Sequence, residues 1–232
     1  MSEADRMRYG SLYERIVRDL QTGSRESLTF FLQRFQHPMY AYLRARGLDH
    51  SRVADELREF VRRHLEVREE SVAPDGRLRT HLRTCLAQFR EQDHPTTNSI
   101  DPDEVVLDLE WSLNRWEEAA RSGMGAADVF DHEWAAVILR DSRHVVERDY
   151  VHHRKAKEYR LLSRSLDAVG RRISHAELAH LLHLRESQVK QKLRQLSQRF
   201  RHALHQHVAE TVAESEIAPE IEFISERTGA AL

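Results

Sequence analysis

The side chains of this chain best suited to chemistry are cations and amides gathered between residues 185 and 199. Lysine and arginine neutralise phosphates, while glutamine and arginine can hydrogen-bond the edges of bases in the major groove of DNA. The candidate DNA-binding residues are Arg185, Ser187, Gln188, Lys190, Gln191, Lys192, Arg194, Gln195 and Arg199. A plain helical hairpin with a solvated basic face remains the alternative interpretation of the same residues.

These side chains need a helix to hold them on one face, and their neighbours predict it. Ser174 followed by Glu177 is typical of a capping box at a helix start. Leu184 falls in a break, after which Ser187 is a candidate cap for a second, longer helix. The apolar positions of that helix are three or four residues apart: Val189, Leu193, Leu196, Phe200 and Leu204. A short helix, a tight turn and a longer helix predict a helix-turn-helix unit.

The rest of the chain has the apolar periodicity of helices. Spacings of three and four recur over residues 28–43, 53–65 and 78–89, and a short helix is expected around residues 217–224. Pro38 falls inside the first stretch and is expected to kink it or divide it into two helices. Since no segment alternates apolar and polar residues for long enough to suggest a sheet, the expected fold class is all-α.

Charge is distributed in blocks of opposite sign. The net charge of −2 combines +2 over residues 1–95, −8 over 96–134, +9 over 135–207 and −5 over 208–232. Such blocks indicate a basic surface for nucleic acid between acidic segments. Uneven solvation of an acidic linker is the alternative explanation.

Two helical domains joined by an acidic linker are therefore expected. The polar stretch from Gln92 to Asp103 has the composition of a linker. The expected segments are an N-terminal helical domain (1–92), a partly helical acidic linker (93–127), a helix-turn-helix domain (128–212) and an acidic tail (213–232).

Several other classes of protein find little support. Cys85 is alone, so no intrachain disulfide can form and a cytoplasmic location is expected. No apolar run approaches the roughly 20 residues that span a bilayer, so no membrane partner is expected. Neither the histidine pair His180 and His183 nor the cluster within 202–207 has the Cys or carboxylate to complete a tetrahedral metal site. The chain also lacks a phosphate loop and the GxSxG and HExxH motifs, so no catalysis, metal or cofactor is expected.

Two stretches of the C-terminal half resemble a known family. Residues 130–135 read FDHEWA, and residues 176–189 read AELAHLLHLRESQV. They are similar to the "FDREWA" segment and the C-terminal helix-turn-helix of bacterial RNA polymerase sigma factors of the extracytoplasmic-function type. The resemblance extends over roughly residues 23–212 and implies that the helix-turn-helix reads the upstream promoter element.

The N-terminal half resembles the other domain of this family, with Gly47 and Leu65-Glu66 at matching spacing. The resemblance implies that core RNA polymerase is bound through Asp55, Arg58, Glu59 and Phe60. Residues 75–82, DGRLRTHL, resemble the start of the helix that melts and reads the downstream promoter element. The implied melting residues are Arg77, Arg79, His81, Arg83 and Arg90.

Some positions depart from the family pattern. Leu78 and His81 replace aromatic residues, although melting requires flat side chains that stack unpaired bases. Acidic residues follow Arg90 where the family is basic, and they would repel phosphates. His183 replaces the glycine of the turn, which is tolerable only if His183 avoids the left-handed conformation or accepts its strain.

The resemblance implies a sigma factor, a dissociable subunit without catalysis of its own that directs the polymerase to chosen promoters. The expected partners are core RNA polymerase, promoter DNA and an anti-sigma or other regulatory protein. The alternative is a degenerate, sigma-derived DNA-binding regulator or interaction adaptor that lacks promoter melting.

Overall fold

The regular structure of the described residues is entirely helical, which confirms the all-α prediction. A computed structural model describes residues 25–64, 77–89, 109–119, 123–164 and 173–229. Its α-helices are α1 (Arg25–Ala45), α2 (His50–His64), α3 (Leu78–Phe89), α4 (Glu110–Ala119), α5 (Ala126–His152), α6 (Ala156–Ser163), α7 (His175–Leu182), α8 (Glu186–Ala209) and α9 (Ile217–Thr228). None of these described helices is long and apolar enough to cross a membrane.

Helix α1 continues through Pro38 as one element rather than two. A proline inside a helix costs about 3 kcal/mol because it removes a backbone hydrogen bond and crowds the preceding turn. Phe31, Phe35, Met39 and Leu43 lie on the same face and are fully buried. Each such side chain contributes about 1.5–3 kcal/mol on burial, so packing outweighs the proline.

The chain divides into two compact units whose boundaries differ from the predicted segments. Unit 1 comprises residues 1–137 together with Ala209–Glu216, and unit 2 comprises Ile138–Val208 together with residues 217–232. Residues 128–137, expected at the start of the second domain, therefore belong to unit 1. The roles predicted for these segments, namely polymerase docking, linker and helix-turn-helix, stay predictions.

Aromatic packing explains why the start of α5 belongs to unit 1. The ring of Trp134 stacks on Phe35 of α1, with centroids 4.4 Å apart and planes 11° from parallel. Phe130, one turn earlier, meets Tyr42 edge to face at 6.3 Å. Because Trp134 and Phe130 are fully buried, this segment is part of the unit 1 core.

Unit 2 is built around the apolar stripe of α8, as its spacing predicts. Leu196 and Ala203 are buried with Val146, Tyr150 and Leu162 in one cluster. Near the start of α8, a second cluster is formed by Leu178, Ala179 and Val189, with Leu161, Ile173, Leu184 and Leu193 packed against it. The apolar side of α8 is thereby covered by α5, α6 and α7, which leaves its other side for solvent or a partner.

Candidate nucleic-acid interface

Local hydrogen bonds define the short helix α7 and its exit. The hydroxyl oxygen of Ser174 accepts from the backbone N–H of Glu177 at 3.1 Å, which confirms the predicted cap. His183 adopts the left-handed conformation, with φ of 53°, and the N–H of Leu184 donates to the carbonyl of Ala179 at 2.9 Å. His183 thus accepts the strain that the glycine of the family pattern avoids.

Helix α8 begins at Glu186, one residue before the predicted cap. Ser187 therefore lies in the first turn, where it is exposed. The side-chain oxygen of Gln188 accepts from the backbone N–H of Arg185 at 2.9 Å. Gln188 consequently helps to close the start of the helix and has less freedom to contact a base.

Most of the predicted DNA-binding residues lie on the solvent side of unit 2. Those classed as exposed are Arg185, Ser187, Gln188, Lys190, Gln191, Arg194, Gln195 and Arg199. No carboxylate among the described residues pairs with Lys190 or Arg194. These two cations are therefore free to neutralise phosphates.

Two of the predicted DNA-binding cations are engaged within unit 2 instead. The ammonium of Lys192 lies 2.8 Å from a carboxylate oxygen of Glu158, in a half-buried pair. Arg199 pairs with Asp149, and its guanidinium lies 5.4 Å from the centre of the Tyr150 ring. Both cations tie α8 to neighbouring helices, a role that residue type and spacing alone did not indicate.

In unit 1, Asp131 forms ion pairs with two of the predicted melting residues. Its carboxylate oxygens lie 3.0 Å from Arg79 and 2.7 Å from Arg83. Asp131 and Arg79 are buried, whereas Arg83 is half-buried. These arginines hold α3 against α5, and Arg79 is buried away from any nucleic acid.

A third predicted melting residue, Arg77, is bound by the segment that follows α8. Its Nε donates to a carboxylate oxygen of Glu216 at 2.9 Å. Next to it, the N–H of Leu78 donates to the carbonyl of Thr211 at 2.9 Å, and Arg77 forms an isolated antiparallel bridge with Val212. Residues 211–216 therefore cover the beginning of α3.

The remaining melting candidates differ in their surroundings. His81 is half-buried, with its Nε2 3.6 Å from the thiol of Cys85, and Arg90 lies outside the described residues.

Burial raises the pKa of Cys85 to about 11. A thiol that stays protonated at neutral pH is a poor nucleophile, consistent with a structural role.

A second buried carboxylate, that of Glu133, interacts with a histidine and an arginine. It lies 2.9 Å from Nε2 of the buried His37 in α1 and also pairs with Arg115 in α4. Burial by itself would raise the pKa of Glu133, but the hydrogen bond from His37 and the charge of Arg115 outweigh it and lower that pKa. In the sequence this residue is part of the FDHEWA segment, which does not identify its buried partners.

The predicted polymerase-binding residues divide into surface and core. Asp55 is exposed and pairs with Arg58 on the next turn of α2 at 3.3 Å. Glu59 is half-buried, whereas Phe60 is fully buried with its ring 5.6 Å from that of Phe89. Asp55, Arg58 and Glu59 thus have surface for a partner, and Phe60 supports the helix from beneath.

Comparison with protein-family models, curated proteins and solved structures finds no match for this chain. Within the described ranges, no group of three His, Cys, Asp or Glu side chains could hold a metal ion.

Proposed function

We propose that the protein is a sigma-factor-like transcription initiation protein that binds core RNA polymerase and directs it to promoters through the exposed face of α8. The observation that carries the DNA-binding part is the position of Lys190 and Arg194. Both are exposed and unpaired with any described carboxylate, on a helix whose opposite face is packed into a core.

In this proposal, α8 enters the major groove with its N-terminal half. The guanidinium of Arg194 can donate to O6 and N7 of a guanine, and the amide of Gln191 can donate to N7 and accept from the N6 amino group of an adenine. Lys190 and Arg185 contribute positive charge towards the phosphates that border the groove. The capped helix α7 and the turn at His183 hold the start of α8 in position.

The polymerase-binding part rests on the sequence resemblance and on the exposed surface of α2. Asp55, Arg58 and Glu59 lie within two turns of one another on this helix. A charged, solvent-accessible face of this kind can dock on a complementary surface and set the rate of association.

A sigma-derived DNA-binding regulator that lacks promoter melting is the second candidate. It is favoured by the pairing of Arg77 with Glu216 and of Arg79 and Arg83 with Asp131. Among these pairs Arg79–Asp131 is buried, and removing one partner of a buried ion pair costs about 3–5 kcal/mol. Arginines bound in this way could hold melted DNA only after α3 had separated from these carboxylates.

Reconstitution distinguishes the two candidates. A duplex ligand is first selected by the full chain from a random library, and is then incubated with the chain and core polymerase. Co-elution with the polymerase and permanganate-reactive thymines in the bound DNA would support the sigma factor. Duplex binding with neither would support the regulator, and an absence of duplex binding would overturn both.

An Asp55→Ala, Glu59→Ala double variant tests whether α2 is the surface that binds the polymerase. Both side chains have exposed or half-exposed surface, so the fold should tolerate the change. Loss of co-elution with retained duplex binding is expected if α2 docks on the polymerase. Undiminished co-elution would place the docking surface elsewhere.

A further inference from the structure

A second group of cations lies in unit 2, outside the predicted DNA-binding set. It spans the end of α5, the turn at residues 153–155 and the first turns of α6, where residues 151–160 read VHHRKAKEYR. We call the following four residues, all exposed, the turn cations: Arg154, Lys155, Lys157 and Arg160. Within residues 149–160 the acids are Asp149 and Glu158, and each is paired with a cation of α8.

The backbone of this turn is held by its own hydrogen bonds. The N–H of Arg154 donates to the carbonyl of Val151 at 2.9 Å, and the N–H of Lys155 donates to that of Tyr150 at 2.8 Å. Arg154 has φ of 59°, the left-handed conformation that commonly ends a helix. The turn cations therefore project from a defined backbone rather than from a long loose loop.

Two ion pairs fix the turn along one flank of α8. Asp149 before the turn pairs with Arg199, and Glu158 after it pairs with Lys192. Residues seven apart in a helix differ by only about 20° in direction, so Lys192 and Arg199 point to the same side. The turn therefore lies alongside α8 on that side.

This flank borders the exposed face of α8. Each residue advances about 100° around a helix, so Gln195, three positions after Lys192, lies about 60° away from it. Gln195 is exposed and belongs to the predicted DNA-binding set. Lys192 and Arg199, both paired with carboxylates, lie on the side of α8 that Gln195 borders.

We propose that the turn cations form a second phosphate-binding surface, which contacts the DNA backbone beside the groove that α8 enters. This inference rests on the proposed DNA binding by α8. It assigns phosphate contacts to the four turn cations. Lys192 and Arg199 position the turn through their carboxylate partners instead of contacting DNA.

The salt dependence of binding tests this assignment, because each phosphate contact contributes about 0.9 to the slope of log K against log salt. Full-length chains are titrated with a fluorescent mixed-sequence duplex of roughly 30 base pairs, over about 50 to 200 mM salt. The test variant is Lys155→Gln with Lys157→Gln. Its matched control is Arg46→Gln with Arg52→Gln, which removes two exposed cations from unit 1.

The test variant should have a slope lower by about 2 and bind roughly 10- to 30-fold more weakly, while the control stays near the wild type. Arg154→Gly removes one charge and suits the positive φ, so it should lower the slope by about 1 without harming the fold. Circular dichroism melting curves verify folding of every variant.

Equal slopes for wild type, test variant and control would overturn the assignment. An equal decrease of the slope in the test variant and the control would overturn it as well. A Lys190→Ala variant separates this failure from failure of the proposed function. If Lys190→Ala lowers the slope while the turn variants do not, α8 binds DNA without the turn. If the wild-type chain binds no duplex, both proposals are overturned.

Discussion

Asp131 and Arg79, 52 positions apart in the chain, form a buried ion pair between α5 and α3 at 3.0 Å. The side chains are 4% and 6% exposed, so water screens this pair very little. The same carboxylate also accepts a hydrogen bond from Arg83 at 2.7 Å. Two arginines of α3, the helix expected to melt DNA, thus bind it to the FDHEWA segment of α5.

Replacing Asp131 by asparagine should strongly destabilise unit 1. Arg79 would lose the carboxylate that it meets in the core of unit 1, and removing one partner of a buried ion pair costs about 3–5 kcal/mol. Urea titration followed by circular dichroism measures this as a loss in the free energy of unfolding. The matched control is Asp55→Asn, because Asp55 is 81% exposed in its pair with Arg58. That control should change stability by less than about 1 kcal/mol, and a similar small change in Asp131→Asn would contradict the expectation.

Local features of the fold could be predicted from the sequence because their causes lie within a few residues. The cap at Ser174 needs only Glu177 three positions later, and the stripe from Val189 to Leu204 needs only the helical period. The tail helix expected near residues 217–224 is present as α9, from Ile217 to Thr228. In each case a short-range pattern determined both the element and its buried face.

The partners of the charged residues could not be predicted in this way. Periodicity identifies which face of α3 is buried, but it does not reveal that Arg77 meets Glu216 across 139 positions. Periodicity likewise does not reveal that Lys192 is held by Glu158, 34 positions away, and is therefore less available to DNA. Charge counts therefore overstated the number of cations available to nucleic acid.

The stability of unit 1 should fall in acid partly through Glu133. Its pKa is lower in the folded chain than the ordinary value of 4.5, because of His37 and Arg115 despite burial. The carboxylate therefore contributes stability that is present above the unfolded pKa and is lost as the pH falls through the folded pKa. Urea midpoints measured from pH 6 down to pH 3 should fall less steeply for Glu133→Gln than for the wild type. Parallel curves for the two proteins would contradict this linkage.

His183→Gly should stabilise the chain. The left-handed conformation at φ of 53° costs a residue with a Cβ about 1 kcal/mol more than it costs glycine. Thermal and urea unfolding should therefore show a gain of about that size. The control is His180→Gly inside α7, where glycine should destabilise by about 1 kcal/mol. Losses in both variants would mean that the side chain of His183 contributes more than its backbone costs.

Cys85 should react slowly with iodoacetamide. Burial raises its pKa to about 11, so the reactive thiolate is scarce at pH 8. Alkylation of the folded chain should be more than about tenfold slower than that of a free thiol of ordinary pKa, and urea should remove the difference. A folded-state rate equal to that in urea would show that the thiol is not protected by this packing.

Lys190 and Lys192, two residues apart on α8, should affect DNA binding differently. Lys190 is exposed and pairs with no described carboxylate, whereas Lys192 is half-buried and held by Glu158. Lys190→Ala should lower the slope of log K against log salt by about 1, as expected for one lost phosphate contact, and Lys192→Ala should lower it by clearly less. Fluorescence anisotropy with one duplex probe measures both slopes. If Lys192→Ala has the larger effect, its pair with Glu158 must open on binding, and Lys192 would then be a phosphate contact rather than an anchor for the turn.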